Sequence, residues 1–595
     1  MNQNNRHTYK MGIIGNCSYM AHVDTNANIA WLCWPDFDSS FVFGGLIDKN
    51  KGGHYKISPD TDSFVSNQYY IENTNVLCTE FETEDGAFRV TDFAPRFSLY
   101  DRYYKPLMLV RKIEPLKNSP AVRVSIKPMG DYGQITPKAE RGSSHLSFTG
   151  LESNLRLTTN IPLSYILSEK SFILDEPKYL VLTWGVPFEA SLETVSEDFL
   201  KKTVDYWRNW VKHAKIGNFH QKVVIRSALA LKIHQFQDTG AILAAGTMSL
   251  PEFHNSGRNW DYRYCWMRDT YYTLTAFNNI GHFEEMEKYS EYIENIALKE
   301  KDQLQPLYKI NGDSRIDEKI LDLEGYLGNT PVRLGNQAYT HIQNDVYGQI
   351  LLSLLPLYID RRYAGEQAKS TKLIYQLLDI IEKKMAEPDA GLWEFRDFQQ
   401  NHSYTYLFHW AGCSAAYKIA LHYEDLELEQ KANKLMKESV QWIEKCFDKD
   451  QGAYTQAVGN PNMDASLLQL ITMDYLDPTS DITKNHLKKL EQELRTPEGL
   501  FYRYLHADDF GKPEVTFLVC SFWYVEALAC VGRLDEAISF FDKLMEYSNH
   551  LGLFSEDVDS KDGSQWGNFP QAYSHVGLIN AAFRIDKKLD KPDFL

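Results

Sequence analysis

Polar and apolar residues alternate along the first third of the chain. Short segments such as HYKISP, FRVTDF, LVRKIEPL, VRVSIKPM, LRLTTNI and YLVLTW repeat with a period of two and are separated by Gly, Pro, Asn and Asp. Side chains on a strand point alternately to opposite faces, so this pattern predicts strands with one face buried. Many such strands in succession predict an all-β sandwich. The stretch GNCSYMAHVDTNANIAWLCWP predicts a hairpin turning at Asn26–Asn28. Its Trp31, Trp34, Asp36 and Phe37 either reach a neighbouring site or pack the hairpin against the next domain.

The period changes near Val204. Beyond it the apolar positions recur at helical spacing, and a linker helix is expected within 200–220. About twelve helices follow, at 221–236, 268–280, 283–298, 340–359, 368–386, 406–422, 427–446, 463–475, 483–494, 515–531, 533–547 and 571–585. They alternate in polarity. The helices beginning YLFHWAGCSAAY and VTFLVCSFWYVEALACV are apolar on nearly every side, whereas 368–386 and 427–446 carry Lys and Glu on one face. A helix apolar all round belongs inside and a striped one outside. Six inner and six outer helices make an α/α toroid. A solenoid of helix pairs is the alternative, but no strong repeat supports it. The expected layout is a multidomain β + α chain: a β-sandwich over 1–199, a linker helix over 200–220 and a helical barrel over 221–595.

Composition narrows the class of partner. The 595 residues suffice for two or three domains. A formal net charge of −17 argues against nucleic acid, which needs a basic patch. No basic run suggests a membrane surface, and no apolar run approaches a membrane span. The segment MNQNNRHTYKMGIIGN lacks the apolar core of a signal peptide, so a cytoplasmic location is expected. The eight cysteines, at 17, 33, 78, 265, 413, 446, 520 and 530, sit among apolar neighbours without a CxxC spacing and read as buried free thiols. No EF-hand-like loop appears, and neither a metal nor a cofactor is expected. Aromatic residues reach 13 %, with 36 Tyr and 12 Trp. They fill large cores, and they also stack on sugar rings while their polar edges meet hydroxyls.

The unusual residues cluster just before the inner helices. Asn259–Asp269 precedes the first, Pro331–Asn336 (with Arg333) the second, Gly391–Arg396 the third and Asn460–Asn462 the fourth. Leu553–Asp557 and Trp566–Gln571 precede the last. In a toroid all inner helices start at one end, so these segments converge on one funnel, as loops on a rigid scaffold do in ligand sites. Glu394 lies between Trp393 and Phe395, well before its helix, where capping does not explain it; a salt bridge to Arg396 or another buried arginine is its bland reading. Glu556, beside Asp557 and Asp559, reads otherwise as a solvated acidic loop. Together, two loop glutamates, several tryptophans and two arginines fit a sugar hydrolase. An acetal is stable until its leaving oxygen is protonated, so one carboxyl must hold its proton while another stays ionised. Hydrophobic flanks suit Glu394 to the acid, and polar neighbours suit Glu556 to the base.

At these residues the chain closely resembles the glucoamylase-like family 15 of glycoside hydrolases, in its prokaryotic branch of glucoamylases, glucodextranases and some trehalases. The matching segments run nearly end to end: TGAILAAGTMSLPE, RNWDYRYCWMRDTYYTL, LEGYLGNTPVRLGNQA, GLWEFR, MDASLL, FLVCSFWYVEALACVGRLDEA and NFPQAYSHVGLINAA. The resemblance implies an N-terminal β-sandwich (a super-sandwich), a linker, a catalytic (α/α)6 barrel and inversion at the anomeric carbon. It carries the general acid over to Glu394 and the general base to Glu556. Arg268 and Asp269 match the pair that holds the terminal glucose, Trp266 matches an aromatic near them, and Trp393 precedes the acid. Arg333 and Trp566, from the converging segments, complete the expected substrate-binding set. Phe395 stands where fungal members have a second glutamate, and Tyr406-Leu407 where many prokaryotic members have Ser-Lys.

The expected function is therefore an inverting, exo-acting hydrolase releasing glucose from a small carbohydrate. A short maltooligosaccharide stands first as substrate and trehalose is the alternative. A phosphorylase would need basic residues where Glu556 stands. A non-catalytic carbohydrate-binding protein would not need both glutamates.

Overall fold

The computed structural model describes residues 6–300, 302–362 and 370–589. The start of the expected 368–386 helix and the end of the expected 221–595 barrel lie outside the described residues.

Two antiparallel sheets form the N-terminal part. One has seven strands, in the order Met11–Gly15, Met20–Asp24, Asn28–Cys33, His54–Pro59, Ala121–Lys127 and Phe172–Ile173, with Phe41–Phe43 added to Asn28–Cys33. The other has eight, from Lys138–Arg141 through Lys178–Trp184 and Met108–Lys117 to Val65–Tyr70. The alternation read from HYKISP is realised at His54–Pro59, where every second residue is buried. Between the sheets lies the fully buried ion pair of Arg111 and Asp92, 2.7 Å apart. Arg111 also donates to the carbonyls of Tyr55 and Ala27, which satisfies most of its fork. Removing either charge would leave the other buried alone, at a cost of about 3–5 kcal/mol.

The hairpin carrying Trp31 packs the sheets onto the helical part. Trp31 Nε1 donates to Gly246 O at 2.8 Å, and Phe37 meets the edge of Phe236. The packing reading of this hairpin is the one realised. A helix at Leu192–Lys212 follows the sheets; it starts before the 200–220 segment expected to hold it, and its Trp207, Trp210 and Val211 are buried.

The helical part is an α/α toroid. Its inner helices, mostly buried, are Thr270–Asn279, Asp345–Ile359, Ser403–Tyr423, a short pair of turns at Ala465–Leu468 and Gln469–Thr472, Leu518–Cys530 and Ala572–Asp586. The outer ones are Gln221–His234, Phe283–Lys299, Lys372–Lys384, Leu426–Glu444, Asp481–Leu494 and Leu534–Met545. Each inner helix touches the next, and Ala572–Asp586 touches Thr270–Asn279, so the ring closes. Gly348 and Gly412 let the second and third inner helices approach closely; a Cβ on Gly348 would lie 2.0 Å from Phe408 O. The fourth inner element departs from the expected 463–475 helix. It is one 3-10 turn and one α turn, stopped near Asp474, whose φ is +59°. All eight cysteines are buried free thiols. No described helix is long and apolar enough to cross a membrane.

Candidate active site

The segments before the inner helices meet in one cavity, enclosing about 870 Å³ including its open mouth. Trp266, Arg268, Asp269, Trp393, Glu394 and Glu556 all line it.

Glu394 stands on a loop with unusual backbone. Gly391 and Glu394 have φ of +67° and +61°. A left-handed glutamate is strained by about 1–3 kcal/mol and needs support from its surroundings. Asp389 supplies it. Its carboxylate accepts from the N–H of Gly391 (2.8 Å), the N–H of Asn344 (2.9 Å) and the Thr405 hydroxyl (2.8 Å). Burial pushes Asp389 up to about 6. Gly391 is required by space as well: a Cβ there would sit 2.6 Å from His402 Nε2.

The Glu394 carboxylate receives Trp266 Nε1 at 2.6 Å, Arg268 Nη1 at 3.1 Å and Gln343 Nε2 at 3.4 Å, all on Oε1. Its salt bridge is thus to Arg268, while Arg396 points to Glu318 and lies over the Trp260 ring. Arg268 also pairs with Asp269 (3.0 Å) and donates to Leu392 O (2.8 Å). Burial works against the Arg268 charge, yet the carboxylates of Asp269 and Glu394 raise its pKa above the ordinary value. Burial raises Asp269, with Arg268 opposing it.

Glu556 immediately precedes a strand of the small sheet formed by Thr516–Phe517, Asp557–Val558 and Gln565–Trp566. Its Oε1 accepts from the Tyr262 hydroxyl at 2.7 Å and its Oε2 from the Asn568 N–H at 3.3 Å. Burial first, and the negative charge of Glu252 second, raise its pKa above the ordinary carboxylate range; Tyr262, Arg503 and the Asn568 N–H oppose them. Asp557 is raised as well, by burial and then by Glu556. Between the two glutamates stand Tyr262 and Trp266, edge to face at 5.2 Å, each bonded to a different one of them.

The surroundings of the two carboxyls run opposite to the sequence expectation. Glu556 is 1 % exposed although its chain neighbours are polar. The Glu394 side chain is 21 % exposed although its neighbours are aromatic. Those rings make their contacts elsewhere: Trp393 donates to Asp464 and Phe395 stacks on Phe398.

Two expected binding residues lie outside the cavity lining. Arg333 sits over the ring of Trp260, donates to Gly257 O and Asn259 O, and pairs with Glu318. Trp566 stacks on His7 at 4.7 Å. Both were placed by the loops they belong to, and those loops also have a face turned from the cavity. The cavity is also lined by residues outside the expected set. Glu252 accepts from Trp260 Nε1 (2.8 Å) and from Arg503 Nη2 (2.5 Å). Arg258 pairs with Asp508, and Asp509 accepts from the Arg396 N–H at 2.6 Å. Glu252 ends the quoted segment TGAILAAGTMSLPE, which was the available signal; Arg503 and Asp508 lie in segments with no such marker.

Comparisons with known proteins identify the family. The family description "Glycosyl hydrolases family 15" matches residues 218–583, and "Trehalase-like, N-terminal" matches 3–162. The trehalase of Thermoplasma volcanium is 34 % identical, over 98 % of this chain and 94 % of that one. The trehalase of Thermoplasma acidophilum is 32 % identical over 95 % and 98 %. That of Mycobacterium tuberculosis is 29 % identical over 95 % and 88 %. A crystal structure of a bacterial glucoamylase complexed with acarbose superposes with a TM-score of 0.69, covering 98 % of this chain and 95 % of that one at 15 % identity, and shows the same fold. With a sandwich, a closed helical ring and a family match over most of the ring, the chain belongs to family 15 of the glycosyl hydrolases and is a glycoside hydrolase.

Proposed function

We propose that the chain hydrolyses α,α-trehalose to two glucose molecules by inversion, with Glu394 as general acid and Glu556 as general base. The observation that carries the substrate is likeness to trehalases over nearly the full length of both chains, sandwich included. Trehalose thereby takes precedence over the maltooligosaccharides that the sequence put first. The cavity supports the reading. Beside the two glutamates it offers Glu252, Arg258, Arg396, Arg503 and Asp508, charged groups suited to the many hydroxyls of a second glucose.

Arg268 and Asp269 hold hydroxyls of the glucose whose anomeric carbon reacts. Glu394 protonates the bridging oxygen as the C–O bond breaks. Glu556 draws a proton from a water that attacks the opposite face. Inverting enzymes keep their two carboxyls roughly 6.5–9.5 Å apart to admit that water. The pair Tyr262–Trp266 standing between the glutamates fits such a spacing. The developing positive charge on the sugar ring is welcome among carboxylates.

The test follows initial products by proton NMR. Inversion converts one glucose to the β anomer and leaves the other α, so trehalose should release equal amounts of each before mutarotation. Two α-glucose molecules would mean retention and would withdraw both roles. In a panel of trehalose, maltose, maltotriose and isomaltose, trehalose should give the largest kcat/KM. Faster turnover of maltotriose would overturn the substrate.

A further inference from the structure

One segment from the N-terminal part, His7–Tyr9, reaches the neighbourhood of Glu556 and runs beside residues 564–567. His7 O accepts from the Gln565 N–H at 2.9 Å, and His7 Nδ1 lies 2.6 Å from Gln565 O. The His7 ring stacks on Trp566. The Tyr9 N–H donates to Gln565 Oε1 at 3.1 Å.

The last contact of this series differs in kind. The Tyr9 hydroxyl donates to Gly567 O at 2.8 Å. The carbonyl of Gly567 and the N–H of Asn568 belong to the same peptide group, and that N–H donates to Glu556 Oε2. One flat peptide therefore has the Tyr9 hydroxyl at one end and the Glu556 carboxylate at the other. A carbonyl that accepts a hydrogen bond polarises its amide and strengthens the N–H as a donor. The peptide is also fixed in place. The Gly567 N–H donates to Pro251 O at 2.7 Å. Gly567 has φ +76°, and a Cβ there would lie 2.5 Å from both Cβ and Oε2 of Glu556. With no slack between peptide and carboxylate, a shift of one moves the other.

The geometry points to Tyr9 of the sandwich as a positioning residue for Glu556, acting through the Gly567–Asn568 peptide. This rests on the reading of Glu556 as the base. Tyr9 touches no substrate. It orients the carboxylate and favours its ionised form by strengthening the N–H that it accepts from. The sandwich is then part of the active site's support as well as a neighbour of the barrel.

The test is Tyr9→Phe in the full chain. The ring keeps its place against Phe569 and His7, 4.8 and 5.1 Å away, and only the hydroxyl is lost. With trehalose, kcat should fall about tenfold, the scale of one lost hydrogen bond, with KM unchanged. α-Glucosyl fluoride, whose leaving fluoride needs no protonation, should slow equally, because it still needs an activated water. The acid limb of the kcat/KM profile should move to higher pH, since a weaker donor leaves the Glu556 carboxylate less favoured. Tyr19→Phe removes another buried hydroxyl, the one that donates to Met108 O inside the sandwich. It should leave kcat and the acid limb as they are. If Tyr9→Phe melts early, its rates are read at a temperature where circular dichroism shows it folded. Wild-type kcat and an unmoved limb there, or a loss confined to trehalose, would overturn the inference. Glu556→Gln is measured beside them: if it slows the fluoride while Tyr9→Phe does not, the inference about Tyr9 fails alone. If Glu556→Gln spares the fluoride, the base reading fails and takes the inference with it.

Discussion

The loop that carries Glu394 and the hairpin that carries Glu556 support the same kind of side chain in different ways. Glu394 is partly exposed, sits on left-handed backbone, and takes its three hydrogen bonds from side chains on a single oxygen. Its other oxygen receives none of them. Glu556 is buried, lies beside a strand, and has both oxygens engaged, one by a tyrosine and one by a peptide N–H. A group that hands a proton to an oxygen of varying position benefits from one unengaged atom. A group that must take a proton from a single water benefits from being fixed. The difference in support, more than the identity of the side chain, distinguishes the proposed acid from the proposed base.

The largest effect should come from exchanging each glutamate for its amide. Glu556→Gln should lower kcat by roughly 10²–10⁴-fold on trehalose and on α-glucosyl fluoride alike. Glu394→Gln should lower it by a similar factor on trehalose while sparing the fluoride. Steady-state rates on both substrates check the contrast; the same pattern for the two variants would break it.

A smaller effect is expected at the Arg268–Asp269 pair, proposed to hold the sugar for both glutamates alike. Asp269→Asn leaves Arg268 without its full counter-charge and should cost about 2–4 kcal/mol in kcat/KM, the scale for disrupting a buried charged contact. It should act on both substrates in the same ratio. Activity within a few-fold of wild type would remove the pair from substrate binding.

The smallest effect sharpens the comparison electrostatically. A base acts only when ionised, so with Glu556 as the proposed base activity should rise as pH rises through its pKa. Burial and Glu252 hold that pKa up. Glu252→Gln removes the negative neighbour and keeps an acceptor for Trp260 Nε1, so the acid limb of kcat/KM should move to lower pH. An acid limb that stays in place would mean that another group sets it.

Much of this arrangement was legible in the sequence, and what was not has physical causes. The helices were readable because a 3.6-residue period imprints directly on which positions are apolar. The fourth inner element was not, because MDASLLQLITMDY is apolar enough for a buried helix or a buried irregular turn, and periodicity cannot separate the two. Convergence of Trp266, Arg268, Asp269, Trp393, Glu394 and Glu556 followed from one rule, that inner helices of a ring start at one end. The same rule misplaced Trp566 and Arg333, since it locates an end of the ring and says nothing of which way a side chain turns there. The depth of Glu556 was hidden because Ser555 and Asp557, polar in the sequence, are themselves buried. Glu252 and Arg503 also lie in segments that lead into inner helices, Thr270–Asn279 and Leu518–Cys530, but well ahead of the helix starts, and the contact that pairs them joins residues 251 positions apart.

The closed ring has a consequence in time. Tyr9 and Gly567, which meet beside Glu556, are 558 positions apart. The last inner helix seals the ring against the first. At about 5–20 residues per second, a ribosome needs roughly half a minute to two minutes between making one partner and the other. From the synthesis of Glu394 to that of Gly567, the last part of that interval, a nascent chain carries the proposed acid without a finished chamber around it. Catalysis should therefore appear late and abruptly during synthesis or refolding, which makes glucose release a reporter of final closure rather than of helix formation.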